Sequence, residues 1–76
     1  MRKLRTVIVE DETMFRQLVH STLRQARDLQ VAAAFELGKP ALEYCLRRDV
    51  DLLVVDLVLP DLSGMEIVRE LRRVRP

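Results

Sequence analysis

The 76 residues are 49% hydrophobic and 33% charged, a globular balance rather than a disordered one. Thirteen Lys and Arg against twelve Asp and Glu leave a formal charge of +1, which excludes a strong electrostatic pull toward nucleic acid or a membrane surface. One Cys and one His exclude an internal disulfide and a Cys/His zinc centre, and no apolar run approaches the ~18 residues of a bilayer span.

A domain this short buries only ~60% of its unfolded surface. With no disulfide or zinc to help, the expectation is that another chain contributes to its stability. The start is basic (Arg2, Lys3, Arg5), and the apolar run behind it is only Val7-Ile8-Val9 before Glu10-Asp11-Glu12. That is too short and too acidic for a secretory signal, so the cytoplasm is the expected compartment.

The β-branched run Val7-Ile8-Val9 predicts a strand buried on both faces. From Thr13 the period changes. Met14, Phe15, Leu18, Val19, Leu23 and Ala26 recur at three- and four-residue spacing and predict an amphipathic helix facing inward through them, with Thr13 as its N-cap. Val31–Phe35 has the alanines of a helix. Its shortness, and Gly38-Lys39-Pro40 beyond it, predict a second strand instead.

Pro40 is expected at the first position of a second helix, with Ala41, Leu42, Cys45 and Leu46 as its apolar stripe. Leu52-Leu53-Val54-Val55 is the third strand and runs straight into Asp56. A loop follows around Pro60. Ser63 and Glu66 have the spacing of a capping box for a third helix, with Ile67, Val68, Leu71 and Val74 inward and an ion pair from Glu66 to Arg69. The alternation β-α-β-α-β-α predicts an α/β unit with a parallel sheet and right-handed crossovers. No linker, repeat or low-complexity tract divides it.

Two of the strands end in acids, the first at Glu10-Asp11 and the third at Asp56. If these strands are neighbours, their C-terminal ends lie side by side, ~4.8 Å apart. Ligands of open α/β sheets bind outside such ends, where the strand order reverses. Three carboxylates gathered there repel one another unless a cation joins them. Oxygen donors without His or Cys suit a hard ion, Mg²⁺ rather than zinc. A carboxylate beside such an ion can act as a nucleophile on phosphorus.

The runs Val7-Ile8-Val9-Glu10-Asp11-Glu12 and Asp51–Glu66 resemble the response-regulator receiver domains of two-component signalling, the CheY-like family. In the second run the aspartate Asp56, the proline four residues on and the glycine eight residues on all match. The wording of that stretch is similar to the NarL/LuxR group of transcriptional regulators. The resemblance implies a flavodoxin-like sheet of strand order 2-1-3, with residues 1–76 as the N-terminal part of a receiver domain. It implies that Asp56 is the phosphoacceptor, supplied by the phosphohistidine of a sensor histidine kinase. It implies that Glu10, Asp11 and Asp56 hold Mg²⁺ with the backbone carbonyl of Val58, whose side chain is then free to vary. Glu12 falls outside the acidic pair and is expected at the start of the helix.

A receiver of this family has five β-α units, and these residues supply three. The hydroxyl residue after the fourth strand, the lysine after the fifth and the aromatic switch residue have no counterpart, and Tyr44 does not map to the last of these. Impaired phosphoacceptor activity is therefore expected, and no enzyme turnover. An unpaired third strand and a bare sheet face further predict a homodimer or other self-association. Direct nucleic-acid binding and membrane binding are not expected of this segment.

The alternative is a non-catalytic structural or dimerisation fragment with a vestigial acidic pocket. His20 reads as a surface residue, Cys45 as core, and the Arg-rich last helix as a solvated face. There is no G-x-x-x-x-G-K phosphate loop, and Val58 stands where a D-x-D phosphatase needs an acid.

Overall fold

Strands and helices alternate without exception: β1 (Leu4–Val9), α1 (Thr13–Arg24), β2 (Leu29–Phe35), α2 (Gly38–Arg47), β3 (Leu52–Val55) and α3 (Gly64–Val74). In this computed structural model, which describes residues 2–75, the strands form one parallel sheet of order β2-β1-β3. The α/β class expected from the alternation and the 2-1-3 order implied by the resemblance are both observed. Met1 and Pro76, the ends of the predicted 1–76 unit, lie outside the described residues.

The chain leaves β1 toward one side to form β2, then passes β1 again to form β3. Right-handed crossovers in opposite directions put α1 on one face and α2 on the other. Accordingly, α1 packs on β1 and β2, whereas α2 packs on the sheet and against α3. Central β1 is sealed on both sides. Val7 and Val9 join Ala41, Cys45, Leu59 and Ile67 in a buried cluster beneath α2 and α3. Thr6 and Ile8, equally buried, alternate to the α1 face, and the Thr6 hydroxyl donates to the Leu4 carbonyl at 3.2 Å.

Several local expectations are corrected. The cap of α1 is Glu12, not Thr13: its carboxylate accepts from the Phe15 and Met14 amides at 2.7 and 3.2 Å. A longer side chain thus does the work usually given to Ser, Thr or Asp, and its charge suits the helix N-terminus. The stripe on α1 is not buried. Met14, Phe15 and Leu18 are 77%, 52% and 61% exposed, and the helix leans on the sheet through half-buried Val19 and Leu23. The apolar stripe is wider than two strands can cover.

Strand β2 begins at Leu29 rather than Val31, and its register against β1 shifts between Thr6 and Val7, so that Ala32 is the extra residue of a bulge. Pro40 is the third residue of α2, where its missing N–H is still one the helix could not use. On α3 the capping box is one-sided. Ser63 Oγ accepts from the Met65 amide at 3.1 Å, Val74 is exposed, and the ion pair runs from Arg73 to Glu70 at 3.5 Å instead of from Glu66 to Arg69.

At the N-terminal edge of the sheet Asp51 holds the strands in register. Its carboxylate accepts from the Arg5 amide at 2.7 Å and from the Arg2 guanidinium at 2.7 and 2.8 Å. These bonds, the Arg5 amide foremost, hold the Asp51 carboxyl below the usual carboxylate range.

Candidate functional site

The acids meet because β1 and β3 are in register to their last residues: Val9 pairs with Val55, and the Asp56 amide donates to the Val9 carbonyl at 3.0 Å. On the other flank the Glu10 amide donates to the Phe35 carbonyl at 2.9 Å. The reversal of strand order therefore falls at Glu10, and side chains leaving β1 and β3 there emerge at one edge. One carboxylate oxygen each from Glu10, Asp11 and Asp56 lies within 4.8 Å of the other two.

Their surroundings differ. Glu10 is buried, only 9% exposed, and its Oε2 accepts from the Glu12 amide at 3.0 Å. The Arg16 guanidinium donates to the Glu10 carbonyl at 2.8 Å and ties the first turns of α1 to the end of β1. Asp56 is half-buried, and its Oδ1 accepts from the Val58 amide at 3.2 Å, a local turn that fixes the carboxylate plane. Asp11 is exposed.

The loop beyond Asp56 is tied down at both ends. Val58 bridges to Ser63 in antiparallel fashion, and the Gly64 amide donates to the Leu57 carbonyl at 3.0 Å. A Cβ at Gly64 would overlap the Asp56 carbonyl oxygen. Glycine eight residues after the aspartate is thus explained by close approach of α3 to the Asp56 backbone, with no positive φ involved. In the middle of the loop Leu59 is buried, and Asp61 reaches across to the start of α2, where it accepts from the Gly38 and Lys39 amides at 2.8 Å each. Those two bonds, Lys39 first, hold the Asp61 carboxyl below its ordinary range.

All three predicted acids come together. Val58, two residues after Asp56, donates its amide to that carboxylate and exposes its side chain. Glu12 stands apart at the start of α1, as expected, and there takes the cap position expected of Thr13. Arg16 and Asp61 were missed: each acts through a partner that no local pattern marks, six residues away for Arg16 and 22 and 23 for Asp61.

An oxygen-only donor set with one buried and one half-buried carboxylate fits a hard divalent cation of the Mg²⁺ kind, which takes one or two carboxylates and retains waters. The family profile of the response regulator receiver domain matches residues 6–76. The chain belongs to the response regulator receiver family.

Other comparisons agree with that receiver assignment. The response regulator ArlR of Staphylococcus saprophyticus is 36% identical over 67 residues, which are 88% of this chain and 30% of that protein. A protein-glutamate methylesterase/protein-glutamine glutaminase of Carboxydothermus hydrogenoformans is 28% identical over 76 residues, all of this chain and 22% of that protein. The receiver chain thus spans less than a third of the length of either relative. In fold it matches the signal receiver domain of the putative response regulator NarL from Mycobacterium tuberculosis, with a TM-score of 0.91 at 24% identity, covering 97% of this chain and 60% of that one. The response regulator RcsB of Salmonella typhimurium follows at 0.86 and 20% identity, covering 100% of this chain and 40% of that one. No helix among the described residues is long and apolar enough to cross a membrane.

Proposed function

We propose that this receiver domain accepts a phosphoryl group on Asp56 from the phosphohistidine of a sensor histidine kinase, with Mg²⁺ held by Glu10, Asp11, Asp56 and the carbonyl of Val58. The observation that carries this is the approach of three carboxylates to within 4.8 Å at the strand-order reversal. The ion supplies neutralisation of the charge gathered on the carboxylates and the phosphoryl oxygens. The rest falls to the chain. The Val58 amide holds Asp56 Oδ1 and orients the carboxylate. An Asp56 oxygen attacks phosphorus, the P–N bond breaks, and the imidazole nitrogen leaves with the electron pair and takes up a proton.

Magnesium titration tests the site. Asp56→Ala is expected to weaken Mg²⁺ binding sharply; equal affinity in the two proteins removes the assignment. Acetyl phosphate tests the transfer, with label expected on Asp56 and absent from Asp56→Ala.

A second reading concerns self-association. Strand β3 pairs with β1 alone among the described strands, and Leu52, Met14, Phe15 and Leu18 are exposed. The isolated chain dimerises through this unpaired edge and open face. Sedimentation at micromolar concentration checks it: a folded monomer counts against a dimer.

A further inference from the structure

We infer that Asp61 is a positioning residue of the metal site, acting by clamping the loop that carries Val58 onto the N-terminus of α2. This rests on the metal reading proposed above. Helix α2 has no cap of its own, because Leu37 occupies the N-cap position and makes no side-chain bond there. The first amides of a helix need acceptors, and its N-terminus favours negative charge. Asp61 supplies both from a distant part of the chain: Oδ1 takes the Gly38 amide and Oδ2 the Lys39 amide, each at 2.8 Å. A carboxylate is the side chain with two acceptors spaced for two successive N–H groups.

The clamp bears on the site through a short lever. Asp61 is three residues from Val58, and the loop between is held by the Val58–Ser63 bridge and by buried Leu59. The seat for this loop is shaped by Gly38. A Cβ there would stand 3.0 Å from Leu62 Cβ and 3.2 Å from the methyl carbons of Leu59 and Ile67. The small residue lets the loop come close enough for the Asp61 carboxylate to reach both amides. Apolar packing alone fixes the depth of the loop. The paired hydrogen bonds fix the loop against the first turn of α2 and, through the Val58–Ser63 bridge, the segment that carries Val58. Coupling of this kind is reciprocal: an ion that needs the clamped loop must also strengthen the clamp.

The test uses Mg²⁺ alone as probe, on chains shown by circular dichroism to be folded. Asp61→Ala is expected to raise the Mg²⁺ dissociation constant about tenfold, as loss of an outer partner of a metal ligand does. Asp61→Asn, which keeps one acceptor, is expected in between. Gly38→Ala, which pushes Leu62 away, is expected to shift affinity in the same direction. Asp51→Asn removes an equally well-bonded carboxylate at the far edge and is expected to leave affinity unchanged. In the unaltered protein, saturating Mg²⁺ is expected to slow hydrogen exchange of the Gly38 and Lys39 amides. Unchanged affinity in Asp61→Ala overturns the clamp and leaves the metal site standing. Equal weakening in Asp51→Asn also overturns it, since loss of stability alone would then suffice. No Mg²⁺ binding by the unaltered protein overturns both. If Asp61→Ala does not fold, Gly38 and Lys39 amides that exchange equally fast with and without Mg²⁺ overturn the clamp.

Discussion

Beneath α2 and α3, Ala41, Cys45 and Ile67 are fully enclosed, while on the opposite face α1 encloses none of its residues and shows Met14, Phe15 and Leu18 to solvent. The contrast separates two uses of apolar surface. On the first face two helices share one sheet side and close a core, so the residues there hold the domain together. On the second a single helix covers the sheet with its flank, and Met14, Phe15 and Leu18 stay more than half exposed.

The sharpest way to break that comparison is to hollow the closed face. Ile67→Ala is expected to cost about 3 kcal/mol, which consumes most of what a domain of this size has, and denaturant melts should show it largely unfolded. Gly64→Ala comes next. The added methyl displaces the Asp56 backbone or α3, at about 2 kcal/mol, and Mg²⁺ affinity should fall with stability.

A smaller effect tests the far edge of the sheet. The Asp51 carboxyl is held below its ordinary range in the folded protein, so its contribution is present above the unfolded carboxylate range and is lost as pH falls through the lowered folded value. Asp51→Asn is therefore expected to be less stable than the unaltered protein at neutral pH and to converge with it in acid, measured by melts across pH. Smallest of all, Leu18→Ser on the open face, measured at concentrations dilute enough to keep the chain monomeric, should change stability by no more than about 0.5 kcal/mol. If it costs as much as Ile67→Ala, the two faces are equally closed and the contrast is void.

The sequence reveals what depends on period and on strand ends. Val7-Ile8-Val9 and Leu52–Val55 announce themselves as strands by composition, and the acids that end them predict the meeting of Glu10, Asp11 and Asp56 once the strands are neighbours. It does not reveal how far a stripe will be covered. The pattern of α1 states which side chains could be buried, whereas burial depends on what the rest of the chain lays against them. Nor does it reveal bonds between distant segments. Asp61 looks like one more polar loop residue beside Pro60, and only the folded sheet brings it to the amides of Gly38 and Lys39. Glu12 misled for a related reason: Thr13 fits the usual cap preference, and the reach of the longer acid decides the matter.

Cys45 offers a use for the closed face. Its thiol is enclosed in the core, and burial pushes its pKa up despite the opposing charge of Arg75, so little thiolate exists to react. An alkylating reagent can reach that sulfur only when α2 lifts from the sheet. As the only cysteine in the chain, it makes the rate of carboxymethylation a built-in stopwatch for how often the domain breathes open.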